Sequence, residues 1–299
     1  MQVEPVETAN TSQKGTLDAI DFAVEQLGIE SFADLDMGRE YGEHAFYAIE
    51  TPTVREGVLA DARPTRARDQ LLTAIERAAE HPGMRVVDGD VLDPATINEI
   101  GQVDAVLMVN LLLHMVAPDW GRVLELYAPY TGCFVIANPQ WPGDATIRLV
   151  DLGRERFLDA VPPSASHQEL FDHLDEWYPA QQRAYRDSRS VWQWGITDTD
   201  LAAKLDELGF GLAYERSLGP FPGADAFENK VFVFSRSERP GVNGVSERKL
   251  AELRARLTAV ERERDELRAR HDRIEHTLAE LLGSRSWRLT KPLRALRRR

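Results

Sequence analysis

The stretch VDAVLMVN at residues 103–110 constrains the fold of this chain more than any other feature. Between Asp104 and Asn110 it is entirely apolar, without the alternation of apolar and polar residues that a half-exposed strand shows. Such a run is typical of a strand that is buried on both faces of a parallel sheet. Because parallel strands need crossover connections, usually helices, the run predicts an α/β fold.

Strand-like and helix-like segments alternate along residues 15–236, which we interpret as one domain. This alternation predicts a doubly wound, Rossmann-like parallel sheet that two further strands close at its end. The patterns predict strands at 31–35, 57–61, 84–90, 103–110, 132–139, 211–218 and 229–236, and helices at 17–27, 65–80, 119–129 and 197–209.

An insertion at residues 140–195 interrupts this pattern before the last predicted helix. It is rich in aromatic residues, and two interpretations are open. It is either a lid that covers a substrate or a satellite core beneath a long loop. Its aromatic residues outside the regular pattern are Trp141, Trp177, Tyr178, Tyr185, Trp192 and Trp194.

Acidic residues end the first three predicted strands, where ligands bind in a doubly wound sheet. These residues are Asp34, Asp61 and Asp90. Gly38 and Gly42 follow the first strand, where glycine lets the backbone approach a ligand closely. The sequence therefore predicts a ligand site at the carboxyl edge of this sheet.

In this arrangement the chain resembles the class I S-adenosylmethionine-dependent methyltransferases. The order of elements, the three acids and the LDELGF segment before the closing strands carry the resemblance. The segments YGEHAFYAIE, LLLHMVAPDW, FVIANPQW, VWQWGITDTDL and FENKVFVFSR are similar to those of a divergent bacterial branch, often met near cell-surface polysaccharide genes. The first turn departs from the family pattern, because Asp36 replaces the first glycine, Gly38 keeps the second and Gly42 supplies the third after a longer turn.

The resemblance implies that S-adenosylmethionine binds at Asp34, Gly38, Gly42, Asp61, Asp90 and Asn110. The carboxylate of Asp61 suits the ribose hydroxyls, and that of Asp90 suits the adenine amino group. Asn110, Asn138 and Gln140 end two strands at the same edge, where they bind acceptor hydroxyls or cap the strand ends.

His114 is the candidate general base, because methyltransferases place acceptor-side residues after the fourth strand and its ordinary pKa suits proton transfer near neutrality. The alternative is a histidine packed within LLLHM. Asp119 either orients His114 or caps the helix that begins near Trp120. His167 and His173 have no recognised metal-ligand spacing, so we expect solvated surface residues and no metal site.

The C-terminal region follows a linker at 237–247 and carries heptads at 250–281, within a segment 248–283. Eight of the ten a and d positions are apolar, and the pairs Arg256–Glu261, Glu263–Arg268 and Arg270–Glu275 attract in a parallel dimer. The pattern predicts a long coiled-coil helix that forms a parallel homodimer. A lone amphipathic helix is the alternative.

The tail at 284–299 holds seven basic residues and no acid, interleaved with Trp287 and three leucines. This composition favours an anionic membrane surface. Residues 1–245 carry 20 basic and 40 acidic residues, which argues against nucleic acid as a ligand. The single cysteine, Cys133, and the polar start MQVEPVETANTSQKG indicate a cytoplasmic protein, peripheral at the inner face of the plasma membrane.

These patterns together predict a methyltransferase that acts on a sugar hydroxyl of a cell-surface or lipid-linked glycan. The first rival is a catalytically inactive scaffold of the same fold that acts through its coiled coil and tail. The second is another nucleotide-dependent enzyme such as a dehydrogenase. The first turn argues against a dehydrogenase, because it lacks the Gly-x-Gly-x-x-Gly spacing.

Overall fold

The computed structural model describes residues 6–35, 43–61 and 68–236. All of these belong to the first of the two units into which the chain divides, residues 1–243 and 244–299. The helices are α1 Val6–Leu27, α2 Glu43–Ile49, α3 Arg68–Glu80, α4 Pro94–Ile100, α5 Trp120–Tyr127, α6 Arg154–Ala160, α7 Ala165–Asp172 and α8 Asp198–Glu207. The strands are β1 Ser31–Asp34, β2 Glu56–Asp61, β3 Met84–Asp90, β4 Val103–Val109, β5 Thr131–Gln140, β6 Ile147–Arg148, β7 Trp177–Tyr178, β8 Arg183–Ala184, β9 Trp194–Gly195, β10 Phe210–Phe221 and β11 Ala224–Arg236. The predicted linker, coiled coil and basic tail lie outside the described residues.

The described residues form a seven-stranded sheet in the order β10-β11-β5-β4-β1-β2-β3. Strands β1 to β5 run parallel to one another, whereas β11 runs antiparallel to both β5 and β10. The predicted doubly wound sheet with antiparallel closing strands is therefore confirmed. The closing strands are longer than predicted, with 12 and 13 residues, and Gly223 turns the chain between them at φ 75°.

The strand order reverses between β1 and β4. From β1 the chain builds outward through β2 and β3 on one side, and it then returns to build β4 and β5 on the other. In open α/β sheets, the crevice at such a reversal, outside the carboxyl ends of the strands, is where ligands bind.

Two apolar layers cover the faces of the sheet, and the run at 103–110 contributes to both. Val106 and Phe134 belong to the layer that contains residues of α4, α5 and α8. Leu107 and Val135, one residue later on the same strands, belong to the layer that contains residues of α1 and α2. Successive side chains of a strand point to opposite faces, so β4 and β5 are buried on both sides, as the continuous apolar pattern predicted.

The insertion has an apolar core of its own, which includes Phe157, Leu170 and Trp192 together with Leu113 and Phe227 from outside it. This core favours the satellite-core interpretation of the insertion. Trp192, one of its aromatic residues, is buried against two phenylalanine rings. Trp177, by contrast, is 63% exposed.

Helix α8 shows how local sequence sets an element boundary. The hydroxyl of Thr197 accepts a hydrogen bond from the backbone of Asp200 at 3.1 Å, which caps the helix. Gly209 follows the helix at φ 82°, a conformation that glycine adopts without strain. The predicted start and stop are thus confirmed. Among the helices of the described part, none has both the length and the apolar character needed to cross a bilayer.

Candidate active site

The three strand-end acids lie at one edge of the sheet. Asp34 is the last residue of β1, is fully buried, and pairs in register with Leu59 of β2 and Leu107 of β4. Asp61 and Asp90 end β2 and β3 and are direct partners across that pair of strands. The acids thus lie on three adjacent strands, of which β1 borders the reversal between β1 and β4. Gly38, Gly42 and the side chain of Asp61 lie outside what the structure describes.

Asn110 follows β4 at the same edge and has a left-handed backbone, with φ 52°. Its backbone N–H donates to the carbonyl of Ala137 at 2.7 Å, which ties the end of β4 to β5. Non-glycine residues adopt this conformation infrequently, and such residues cluster at functional sites. The turn directs the chain away from the sheet and into the 3₁₀ turn Leu112–His114.

His114 ends this turn and is half-buried. Its Nδ1 lies 2.8 Å from the carbonyl oxygen of Val191, a residue of the insertion. A carbonyl only accepts hydrogen bonds, so Nδ1 carries the proton of the neutral ring and Nε2 carries the lone pair. The ring is therefore held in the tautomer that a general base at Nε2 requires.

Asp119 is the N-cap of α5. Its carboxylate accepts a hydrogen bond from the backbone N–H of Arg122 at 2.9 Å. Asp119 was also considered as the residue that orients His114. At Nδ1 that role is taken by Val191, because this ring nitrogen donates to the Val191 carbonyl. The capping interpretation of Asp119 is the one that the contacts support.

Asp90 connects the sheet edge to the insertion. Its Oδ2 lies 2.9 Å from Nη1 of Arg189, whose side chain is 9% exposed. Its Oδ1 accepts from the backbone N–H of Leu92 at 3.0 Å. The hydroxyl of Tyr127 donates to the carbonyl of Val91 at 2.7 Å, and this holds the chain in place immediately after Asp90.

A second arginine of the insertion lies in the same electrostatic environment. Burial lowers the pKa of Arg183, and the neighbouring Arg189 guanidinium lowers it further, whereas Asp90 and Asp187 raise it. Arg183 Nη1 also donates to the carbonyl of Val116 at 3.2 Å, beyond the turn that carries His114. Arg189 and Arg183 thus attach the insertion to Asp90 at the sheet edge and to Val116 after the His114 turn.

Arg189 was not predicted from the sequence. It lies 99 residues from Asp90, in an irregular segment whose local pattern gives no periodicity. The general signal was the strand-end acid Asp90, because a partly buried carboxylate favours a ligand or a cation from elsewhere in the chain.

The prediction that His167 is a solvated surface residue is wrong. His167 is 4% exposed; its Nδ1 donates to the carbonyl of Pro162 at 2.8 Å, and its Nε2 accepts from the backbone of Trp192. Burial lowers the pKa of His167, although the bond to Pro162 opposes this shift. His173 is half-buried and bonds to Glu176 at 3.0 Å. Within the described ranges, no group of three or more His, Cys, Asp or Glu residues is placed to hold a metal ion.

Polar side chains also end β5, on the face that carries Ile136. Asn138 and Gln140 are 1% and 2% exposed, and their amide oxygens have no hydrogen-bond partner among the described residues. Asn138 faces Lys230 of β11, and Lys230 Nζ lies 2.5 Å from Asp198 Oδ2. The other oxygen of Asp198 is likewise buried without a partner in the described part of the chain. We call Asn138, Gln140, Asp198 and Lys230 the β5 polar cluster.

No protein-family model matches this sequence, and no curated protein matches it. Solved structures are similar at low identity. The N-terminal domain of EvdMO1, determined with SAH and D-fucose, is 16% identical with a TM-score of 0.45, over 75% of this chain and 84% of that one. The 1,6-didemethyltoxoflavin-N1-methyltransferase of Burkholderia thailandensis, with S-adenosylhomocysteine bound, is 16% identical with a TM-score of 0.47, over 80% and 92%.

The magnesium protoporphyrin IX methyltransferase of Synechocystis PCC 6803, with SAH bound, is 13% identical with a TM-score of 0.44, over 79% of this chain and 90% of that one. Because all three TM-scores are below 0.5 and all three identities are below 20%, these similarities do not assign an activity to this chain.

Proposed function

We propose that this chain is an S-adenosylmethionine-dependent methyltransferase that O-methylates a sugar hydroxyl of a cell-surface or lipid-linked glycan. The observation that supports this most is the position of Asp34, Asp61 and Asp90 at the carboxyl ends of three adjacent parallel strands. Asp34 borders the reversal of strand order, where this class of sheet binds ligands, and Asp61 and Asp90 follow on the next two strands.

The chemistry of these acids fits the cofactor. Carboxylates accept hydrogen bonds, and the ribose hydroxyls and adenine amino group of S-adenosylmethionine donate them. Asp90 has accepting capacity left, because a carboxylate has about four lone-pair sites and only Arg189 and Leu92 are described as donors to it. When bound, the cofactor supplies a methyl group on a positively charged sulfur.

The residues of the chain have two further tasks in this proposal. Methyl transfer requires donor and acceptor to be aligned and water to be excluded, and the insertion that Arg189 attaches to the sheet edge serves this purpose. A sugar hydroxyl is a poor nucleophile, so a base contributes. His114, with its lone pair at Nε2, takes the proton of that hydroxyl.

The β5 polar cluster supports a hydroxyl-bearing acceptor. An orphaned buried amide oxygen costs about 1–3 kcal/mol unless a donor meets it. The ammonium of Lys230 is engaged by Asp198, Glu215 and Glu228, at 2.5, 3.3 and 3.5 Å, so the surroundings carry more negative than positive charge. Such a site suits neutral donors, as sugar hydroxyls are, and disfavours carboxylate or phosphate groups.

We therefore expect Gln140→Met to weaken the binding of neutral methyl glycosides by at least about tenfold without lowering the melting temperature. Methionine has a similar volume and removes an acceptor that has no partner among the described residues. The bond that is lost is the long one from Gln140 Nε2 to the Asn138 carbonyl, at 3.5 Å. Ligand-observed NMR and thermal melting test this. Gln168→Met, at an exposed position of α7, is the control. Unchanged glycoside binding, or equal binding of glucuronate, would remove the cluster from the acceptor site.

For residues 248–299 we propose a parallel coiled-coil dimer at 248–283 and a basic tail at 284–299 that binds the inner, anionic face of the plasma membrane from the cytoplasm. Paired tails raise membrane retention by avidity, since each cation near anionic lipid contributes about 1 kcal/mol. In this arrangement the transferase domain modifies glycans close to the membrane.

Two changes are expected to release the protein from phosphatidylserine vesicles. One is deletion of residues 284–299, and the other is Leu257→Asp with Leu267→Asp, which breaks the dimer. Vesicle sedimentation and light scattering measure the two effects, with neutral phosphatidylcholine vesicles as the control. A monomeric full-length chain, or equal binding to both lipids, is incompatible with this arrangement.

A further inference from the structure

One segment of the insertion contacts both the strand-end acid Asp90 and the candidate base His114. We call residues 189–194 the strap. Arg189 at its start binds Asp90, and the Val191 carbonyl, two residues later, binds His114. Arg189 and Ser190 lie in a turn and Val191 in a bend, so only a short stretch of backbone connects the two contacts.

Three hydrogen bonds connect the strap to the turn that carries His114. Besides the bond from His114 to Val191, the backbone N–H of Gln193 donates to the Leu113 carbonyl at 2.9 Å. The indole Nε1 of Trp194 donates to the Met115 carbonyl at 2.7 Å. The strap and the turn are therefore fastened on both sides of His114, and movement of one requires movement of the other.

Packing makes the strap stiff. Val191, Trp192 and Gln193 are 1%, 7% and 0% exposed. The Trp192 ring meets the rings of Phe221 and Phe227 edge-on, with centroids 5.0 Å away in each case. Buried side chains interdigitate closely, so displacement at one end of such a segment is transmitted along it.

The end of the strap at Arg189 is also fixed. The Arg189 backbone N–H donates to Oε1 of Gln181 at 3.0 Å, while its guanidinium reaches Asp90. A buried guanidinium needs a compensating carboxylate, so we expect the position of the Arg189 side chain to depend on Asp90. Asp90 in turn is set by its bond from Leu92 and by the Tyr127 contact at Val91.

We propose that Arg189 is a positioning residue for His114: its ion pair with Asp90 sets the place of the Val191 carbonyl, which keeps His114 in the Nδ1–H tautomer. A ligand that hydrogen-bonds to Asp90 shifts this ion pair and thereby biases the candidate base. The coupling between Asp90 and His114 follows from the described contacts alone, whereas its response to S-adenosylmethionine rests on the proposed function. By linkage, a cofactor that alters His114 through the strap is itself bound more tightly or more weakly when the strap is changed.

The test is the ¹⁵N NMR signature of the His114 ring in the full chain, assigned by its loss in His114→Gln. Nε2 is expected to show the shift of an unprotonated nitrogen in the unsubstituted protein. Arg189→Ala is expected to give a mixture of tautomers, and Arg189→Lys, which keeps the charge but not the fork, a partial recovery. Arg154→Ala is the matched control, because Arg154 pairs with Asp172 in the same insertion, with both side chains about half exposed.

S-adenosylhomocysteine provides the second arm. It is expected to move the His114 signals in the unsubstituted protein and in Arg154→Ala, and to leave them in place in Arg189→Ala although calorimetry shows that the ligand is bound. Identical His114 signals in Arg189→Ala and the unsubstituted protein, without ligand, would overturn the proposal. If Arg189→Ala does not fold, Asp90→Asn replaces it, because asparagine keeps the shape of the side chain and weakens the ion pair. The ligand-free His114 signals of that variant are then compared with those of the unsubstituted protein. Absence of S-adenosylhomocysteine binding in every variant would count against the proposed function, while the ligand-free signals still decide the strap.

Discussion

Replacing His114 with alanine is expected to lower kcat by about 10²–10⁴-fold, while the affinity for S-adenosylhomocysteine stays similar. The reason is the geometry of the ring, whose Nδ1 donates to the Val191 carbonyl and whose Nε2 holds the lone pair. Loss of the base slows proton removal from the acceptor hydroxyl without touching the acids at the strand ends. Initial rates with methyl-tritiated S-adenosylmethionine and the best neutral glycoside acceptor measure the change.

His173→Ala is the matched control for this experiment. His173 contacts the ring of Tyr185, its side chain is 45% exposed, and its hydrogen-bond partner is Glu176. We expect near-normal kcat in this variant. A His114→Ala variant that also keeps near-normal kcat would reduce His114 to a packing residue within its turn.

Replacing Asp61 with alanine is expected to weaken S-adenosylhomocysteine binding by about 2–4 kcal/mol, which is about 30- to 1,000-fold. A carboxylate that accepts from both ribose hydroxyls makes two charge-assisted hydrogen bonds, and alanine makes neither. Asp61 ends β2 and is the register partner of Asp90 at the end of β3. Calorimetric titration of the variant measures the change.

Asp88→Ala provides the comparison for Asp61. Asp88 lies in β3, two residues before Asp90, and its side chain is exposed. The affinity of this variant is expected to equal that of the unsubstituted protein, and the melting temperatures of both variants control for folding. Equal affinities for Asp61→Ala and Asp88→Ala would show that Asp61 does not hold the cofactor.

The architecture of the sheet was predictable because local sequence patterns determine where its strands and helices lie. The apolar run at 103–110 is continuous because β4 is buried on both faces. Thr197 caps the start of α8 with a hydrogen bond, and Gly209 ends the helix through its backbone conformation. Helix α4 was missed although its signal is equally local. Asp93 caps it, with Pro94 at its first position.

The contacts that give the site its shape were not predictable, because they join segments far apart in the chain. Arg189 reaches Asp90 across 99 residues, and Val191 reaches His114 across 77. His167 was predicted to lie on the surface because it has no recognised metal-ligand spacing. It is buried because α7 packs on the core of the insertion, which only the tertiary structure decides.

We propose that this chain binds S-adenosylmethionine at the edge formed by Asp34, Asp61 and Asp90. Isothermal titration calorimetry of the full chain with S-adenosylmethionine and S-adenosylhomocysteine is the decisive experiment. We expect one site per chain, with dissociation constants on the order of 1–100 μM for both ligands. Absence of binding of either ligand at millimolar concentration, by a chain that melts cooperatively, would contradict the claim and favour a scaffold without transferase activity.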